Sequence, residues 1–149
     1  MNFLLTSYAL VVSGALLALL AASLLPGCNR KSSIALLNTS IFENIKPEEA
    51  ADLIQKNLGN SSFVILDVRT PGEYNAGHIE GAVNSDYYSE SFRNDLGRMG
   101  KNKIYLVYCR SGNRSGKTLE IMKELGFSHA YNMTGGINVW ISKGFPTVR

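Results

Sequence analysis

The stretch IYLVYCRSGNRSG, residues 104–116, decides the fold class, because it joins a strand to a helix through a short loop. Its first five residues are apolar or aromatic, which is typical of a parallel strand covered on both faces. Apolar residues at helical spacing then indicate an amphipathic helix over residues 114–125. A strand that leads straight into a helix is a building unit of α/β folds.

The chain on both sides of this unit alternates in the same way. We predict helices at residues 47–58, 90–99, 114–125 and 136–143, a further short helix that begins around Thr70, and strands at residues 41–45, 63–66, 82–84, 104–108 and 130–132. This alternation predicts an α/β fold, with a mostly parallel central sheet and helices on both faces. Asp67 and Cys109 each follow a strand, at the edge where open α/β sheets bind their ligands.

Composition argues against several classes of protein. The chain has 149 residues, enough for one domain and a short extension. Its net charge of +3, without a cluster of Lys or Arg, argues against nucleic-acid binding. The two cysteines, Cys28 and Cys109, lie in separate contexts, which argues against a disulfide. Because there is no Cys-x-x-Cys pair and no Cys/His cluster with ligand spacing, we expect no metal site.

The beginning of the chain differs sharply from the rest. Residues 1–29 contain no Lys, Arg, Asp or Glu, and residues 8–25 are almost wholly apolar. We therefore predict that residues 1–28 are a signal peptide or a membrane anchor. Residues 29–40 are interpreted as a linker, and residues 41–149 as the folded domain.

Two locations are compatible with this segment. Residues 24–28, LLPGC, resemble a bacterial lipoprotein signal, in which Cys28 is lipidated after cleavage. The domain would then be anchored to a membrane on its periplasmic or cell-surface side. The alternative is an uncleaved anchor helix, after which Arg30 and Lys31 would keep the domain on the cytoplasmic side by the positive-inside rule.

Cys109 is the candidate nucleophile. Backbone N–H groups in a tight strand-to-helix loop can form a cradle for an anion, and the helix dipole adds positive potential there. Together with two arginines in the loop, they should lower the pKa of the thiol and expose a thiolate. We expect five residues to bind an anionic substrate: Arg110, Ser111, Gly112, Asn113 and Arg114.

Other polar residues near the strand ends receive supporting or structural roles. We expect Asp67 either to accept N–H bonds from the loop or to pair with an arginine, and Arg69 to pair with Glu73. His78 lies in a turn and is interpreted as a hydrogen-bonding residue, because a preformed thiolate needs no general base. Trp140 is assigned to the core. Two further aromatic residues are candidates for the pocket wall: Tyr87 and Tyr88.

The loop CRSGNRS, residues 109–115, resembles the active-site loop of single-domain rhodaneses. Four further stretches resemble motifs of that family in order and spacing: Asp67-Val68-Arg69, residues 77–82 (GHIEGA), residues 135–140 (GGINVW) and Gly144-Phe145-Pro146. The resemblance covers about residues 45–148. It implies the rhodanese-like fold and sulfurtransferase activity, in which Cys109 takes sulfur from a donor such as thiosulfate and passes it, as a persulfide, to cyanide or a thiol. It implies no cofactor, and we expect a monomer.

Two other functions remain open on this sequence. Cysteine phosphatases and arsenate reductases of related fold use a Cys-x5-Arg loop, whereas four residues separate Cys109 from Arg114 here. A loop of that size suits a sulfur atom better than a phosphoryl group. The domain could alternatively be a binding module that delivers sulfur to a protein partner.

Overall fold

The computed structural model of the protein describes residues 40–149, which form five strands and five helices. The strands are β1 (Ile41–Ile45), β2 (Phe63–Asp67), β3 (Ala82–Asn84), β4 (Ile104–Tyr108) and β5 (His129–Met133). The helices are α1 (Pro47–Lys56), α2 (Pro71–Ala76), α3 (Phe92–Arg98), α4 (Asn113–Glu124) and α5 (Gly136–Ser142). Strands and helices alternate along the chain, as predicted. The largest differences lie at helix ends, where α1 stops before residue 58 and α3 starts after residue 90.

All five strands belong to one parallel sheet, in the order β1-β5-β4-β2-β3. The prediction of a mostly parallel sheet is therefore confirmed. Strand β4 lies at the centre, and its last residue, Tyr108, is in register with Asp67 at the end of β2. The carboxyl ends of these strands meet at one edge of the sheet, where the chain next turns into α4 and α2.

Helices cover both faces of the sheet. Side chains alternate between these faces along each strand, so neighbouring residues of β4 pack in different clusters. On one face, Tyr105 and Val107 pack in a hydrophobic cluster with residues of α3 and α4. On the other face, Leu106 and Tyr108 pack in a second cluster with residues of α1 and α5. Since Cys109 belongs to the first cluster, its thiol lies on the face that α3 and α4 cover.

The predictions for residues 1–39 lie outside the described part of the chain. They include the signal peptide or anchor, almost all of the linker, and lipidation of Cys28. Within residues 40–149, no helix has the length and apolar character needed to cross a membrane.

Candidate active site

The loop after β4 turns tightly around Cys109 and places Gly112 in the left-handed region, with φ of 92°. A Cβ atom at Gly112 would lie 3.1 Å from the backbone N of Gly135 and 3.3 Å from the carbonyl oxygen of Met133. Both the backbone angle and the lack of space therefore require glycine at this position. The tight strand-to-helix loop was expected from the sequence, and the structure adds the positive φ of Gly112 and the close approach of the chain around residue 135.

The thiol of Cys109 is buried and accepts hydrogen bonds. The Gly112 N–H donates to Sγ over 3.1 Å, and the Ser115 hydroxyl donates over 3.4 Å. Burial alone would raise the pKa of Cys109. Hydrogen bonds from the Ser115 hydroxyl and from the backbone amides of Ser115, Ser111 and Gly112 outweigh burial, and the net pKa is lowered. These groups therefore favour the thiolate.

Ser115 was not among the predicted site residues. It is fully buried in the first turn of α4, six positions after Cys109. Its hydroxyl points back toward the sulfur. The signal available in the sequence was a small hydroxyl residue one turn into a helix that follows a candidate nucleophile.

The N-terminus of α4 adds further donors to the site. The helix begins at Asn113 and runs for 12 residues. The first N–H groups of a helix have no acceptor within the helix, and the helix dipole is positive at this end. The loop and the first turn of α4 together form a positively polarised surface beside the sulfur.

Arg114 is tied to α2 by an ion pair. Its Nη1 and Nη2 atoms donate to Oε2 and Oε1 of Glu73, each over 2.8 Å. This pairing raises the pKa of Arg114, and the hydrogen bond from Arg114 lowers the pKa of Glu73 to about 2. The sequence had suggested Arg114 as a cation for the substrate. In the structure, much of its charge is already neutralised.

Arg110 is the more available cation. Its side chain is exposed, and within residues 40–149 it makes no ion pair. It lines an open depression of about 420 Å³ next to the loop, together with Glu73, Tyr88, Ser111, Asn113 and Arg114. The ring of Tyr88 also lies 5.4 Å from the guanidinium carbon of Arg114. The neighbouring Tyr87 instead packs against Phe92 of the core.

Asp67 and Arg69 form a buried ion pair with each other, and the expected pairing of Arg69 with Glu73 is wrong. The Nε atom of Arg69 lies 2.9 Å from both carboxylate oxygens of Asp67, and Nη2 lies 2.6 Å from Oδ2. Strand β2 ends at Asp67, and the Arg69 N–H donates to Oδ1 of Asp67 over 2.9 Å, so the bend after the strand brings Arg69 beside Asp67 rather than beside the later residue on α2. Arg69 also donates to the carbonyl of Gly77 over 2.7 Å, which holds the turn before β3.

The side chains of His78 and Trp140 form hydrogen bonds to backbone carbonyls outside the loop that holds Cys109. Nδ1 of His78 lies 3.1 Å from the carbonyl oxygen of Tyr74, and the two rings stack with centroids 3.8 Å apart. Trp140 is buried, and its Nε1 donates to the carbonyl of Pro146 over 2.8 Å. Their contacts match the turn and core roles expected of them.

Helix α5 supports the loop from behind. The N–H of Ile137 donates to the carbonyl of Cys109 over 2.9 Å, and the N–H of Asn138 donates to that of Arg110 over 3.2 Å. Gly136 allows this approach, because a Cβ atom there would lie 2.6 Å from the carbonyl oxygen of Arg110. In the sequence, the Gly135-Gly136 pair stood out only as part of a resemblance. The structure gives Gly136 a physical role.

Comparison with known proteins points to one family. Residues 47–143 match the family described as "Rhodanese-like domain". The thiosulfate sulfurtransferase GlpE of Pseudomonas entomophila is 36% identical, over 69% of this chain and 88% of its own length. A sulfurtransferase of Allochromatium vinosum is 28% identical, over 67% of this chain and 92% of its own length. The crystal structure of a rhodanese-related protein from Thermoplasma volcanium aligns with a TM-score of 0.59 at 29% identity, covering 71% of this chain and 97% of that protein.

Proposed function

Because the chain belongs to the rhodanese-like domain family, we propose that it is a sulfurtransferase that carries sulfane sulfur as a persulfide on Cys109. The observation that carries this proposal is the environment of the thiol. Sγ accepts hydrogen bonds from Gly112 and Ser115 beside the N-terminus of α4, an arrangement that favours a sulfur anion. A persulfide is also a sulfur anion, with its charge on the outer sulfur, where the remaining N–H groups of the loop and of the first turn of α4 stabilise the intermediate.

The first half-reaction forms the persulfide. The Cys109 thiolate attacks the outer sulfur of thiosulfate, and a new S–S bond forms to Sγ. The bond between the two donor sulfurs breaks, and its electron pair leaves with sulfite. One thiolate and one dianion become one persulfide anion and one dianion, so no proton needs to move. This balance explains why the site needs hydrogen-bond donors rather than a general base.

The second half-reaction returns the enzyme to its starting state. A thiophilic acceptor attacks the outer persulfide sulfur, and the electron pair of the S–S bond returns to Sγ of Cys109. With cyanide the product is thiocyanate, and with a thiolate it is a new persulfide. The leaving thiolate is stabilised by the same donors, Gly112 and Ser115, so its departure is favoured.

We propose thiosulfate as the sulfur donor. Several relatives are named thiosulfate sulfurtransferases, among them the GlpE protein of Pseudomonas entomophila described above. Arg110 provides an exposed cation beside the loop, which suits an anionic donor. We also propose that the domain acts as a monomer.

Phosphate chemistry fits the site less well. A phosphoryl group brings three equatorial oxygens that need donors at hydrogen-bond distance. Arg114, the arginine that ends the Cys-x4-Arg loop, already directs both of its Nη atoms to Glu73. The persulfide intermediate adds one atom in line with the Cys109 side chain and carries no equatorial oxygens.

For the location, we propose that Cys28 is lipidated and anchors the domain on the periplasmic or cell-surface side of a membrane. The support is the sequence: an uncharged apolar segment that ends in Gly27-Cys28. Labelling of the membrane fraction with palmitate, with loss of the label in Cys28→Ala, would support this location. Mature protein that retains Met1 would instead identify the segment as an uncleaved anchor.

A steady-state assay tests the proposed activity. Thiosulfate:cyanide sulfur transfer is measured for the full chain, for Cys109→Ser and for Cys28→Ser as the matched control at the other cysteine. We expect Cys109→Ser to lose transfer while it remains folded, since oxygen replaces sulfur in nearly the same volume. Cys28→Ser should retain full turnover in detergent solution. Transfer by a folded Cys109→Ser protein would refute the proposal.

A further inference from the structure

Asn132, on β5, is a buried polar residue on the face of the sheet that packs against α4. It is 5% exposed and lies two residues after the fully buried Ala130, on the same face of the strand. That face carries the cluster that includes Cys109 and packs against α4. Burial of an amide costs free energy unless its polar atoms find partners. The stability of a buried Asn132 therefore depends on its hydrogen bonds.

The side-chain nitrogen of Asn132 makes both of the side chain's hydrogen bonds. Nδ2 donates to Oδ1 of Asn44 on β1 over 2.7 Å, and to the carbonyl oxygen of Gly112 over 3.3 Å. The Oδ1 atom of Asn132 is buried and, among the described residues, has no hydrogen-bond partner. An apolar side chain of similar volume would avoid that cost. Asn132 therefore keeps a donor under the loop of residues 109–112, the sulfur-binding loop, although its own acceptor is left unpaired.

The bond to Gly112 sets the direction of one peptide group. The carbonyl of Gly112 accepts from Asn132 and also from the N–H of Gly116 over 3.0 Å. In a trans peptide, the N–H points opposite to the C=O, so the Asn113 N–H is turned away from β5. Gly112 also donates its own N–H to Sγ of Cys109. Glycine in the left-handed region is flexible, and the bond from Asn132, added to the bond from Gly116, restrains the residue whose N–H faces Sγ.

We propose that Asn132 is a positioning residue for the sulfur site, whose buried amide holds the Gly112 carbonyl beneath the loop so that the loop amides face the sulfur. This inference deepens the proposed sulfur transfer and rests on it for the identity of the bound sulfur. Gly116 supports the arrangement, because a Cβ atom at that position would lie 3.4 Å from Nδ2 of Asn132. Asn44 holds the amide from the other side.

The test compares Asn132→Leu with a matched amide at another strand end. Leucine shares the branching of asparagine at Cγ and removes its hydrogen bonds, and the same replacement at the control position matches the increase in volume. The control is Asn84→Leu, since Nδ2 of Asn84 also donates to backbone carbonyls, those of Asp67 and Arg69, but away from Cys109. Neither variant changes the charged groups beside the thiol, Arg110, Arg114 and Glu73. Thermal unfolding, the pH profile of Cys109 alkylation, and KM and kcat for thiosulfate are measured for the full chain.

We expect Asn132→Leu to shift the alkylation profile to higher pH and to slow alkylation at neutral pH by about three- to tenfold, as for the loss of one hydrogen bond to the loop. Asn84→Leu should lower thermal stability and leave the profile unchanged. If Asn132→Leu fails to fold, Asn44→Ala, at an exposed position, should produce a smaller shift in the same direction.

An unchanged alkylation profile in a folded Asn132→Leu protein, or in Asn44→Ala where Asn132→Leu does not fold, would overturn the positioning role. The alkylation readout does not require sulfur transfer. Failure of the wild-type protein to form a persulfide would therefore count against the proposed function separately from the role of Asn132.

Discussion

The guanidinium of Arg114 and the carboxylate of Glu73, 41 positions apart in the chain, are joined by two hydrogen bonds of 2.8 Å. This pair connects the start of α4 to the first turn of α2. Glu73 also closes a capping box with Thr70, since it accepts from the Thr70 N–H over 3.1 Å. The sulfur-binding loop is therefore tied to α2 through one carboxylate that already serves as part of a helix cap.

The first prediction concerns the dependence of stability on pH. The pKa of Glu73 falls from 4.5 to about 2 in the folded protein, chiefly through the hydrogen bond from Arg114. A lowered carboxyl pKa stabilises the fold at pH values above the unfolded pKa, and this contribution disappears as the pH falls from about 4.5 to about 2. Glu73→Gln should cost about 1–2 kcal/mol of unfolding free energy at pH 7.

The loss of unfolding free energy in Glu73→Gln should shrink toward zero as the pH is lowered from about 4.5 to about 2. Chemical denaturation measures this loss at each pH. Glu120→Gln is the control, because the ion pair of Glu120 with Lys123 is exposed. That variant should match the wild type within about 0.5 kcal/mol. A Glu73→Gln deficit that stays constant down to pH 2 would show that the ion pair does not stabilise the fold.

The second prediction separates the two loop arginines. Arg110 should bind the donor, since it is exposed beside the loop, whereas Arg114 is held by Glu73. Arg110→Ala should lower kcat/KM for thiosulfate by about five- to tenfold at low salt, mainly through KM, because opposite charges a few ångströms apart attract by roughly 1 kcal/mol or more. Added salt should reduce the difference.

Arg98→Ala is the matched control for this charge change, since Arg98 is also exposed but lies at the end of α3, close to the start of β4. It should leave KM unchanged. Equal KM values for Arg110→Ala and the wild type at low salt would remove Arg110 from the donor site.

The third prediction concerns the hydroxyl of Ser115. Its hydrogen bond to Sγ is one of the contacts that lower the pKa of Cys109. Ser115→Ala should therefore raise that pKa, move the alkylation profile to higher pH and slow sulfur uptake at neutral pH by about three- to tenfold. Thr118→Val is the control, because the buried hydroxyl of Thr118 donates to the carbonyl of Arg114 instead of to the thiol. Identical profiles in the two variants would contradict the assignment.

Much of the fold could be predicted, because it depends on local patterns. Apolar runs marked the two central strands, and a proline followed by acidic residues marked the start of α1. The chain offered fewer local signals for the site. Arg69 was matched to Glu73 because they are close in sequence, whereas the bend after β2 pairs it with Asp67. Glu73 finds its partner on α4, and Asn132 reaches beneath the loop from β5, both through tertiary contacts that a local pattern does not contain.

The fourth prediction tests the support that α5 gives to the loop. Gly136→Ala should place a methyl group against the carbonyl oxygens of Cys109 and Arg110, which would push α5 away from the loop. We expect a loss of about 3 kcal/mol or more in stability, together with reduced sulfur transfer. Gly144→Ala is the control, since Gly144 also has positive φ, 81°, but no atom lies within 4 Å of the point that its methyl group would occupy.

Gly144→Ala should cost about 1 kcal/mol for the left-handed backbone and leave sulfur transfer intact. If both glycine variants lose the same stability and keep the same activity, the contact between α5 and the loop does not support the site.

Mass spectrometry of the purified full chain shows whether Cys109 carries the sulfur. The protein is incubated with thiosulfate, freed of excess donor and digested, so that the peptides of Cys28 and Cys109 are resolved. We predict the mass of one added sulfur atom on the Cys109 peptide, its loss on addition of cyanide, and an equal release of thiocyanate. Absence of added sulfur on Cys109 in a folded protein that still transfers sulfur, or its appearance on the Cys28 peptide instead, would show that Cys109 is not the sulfur carrier.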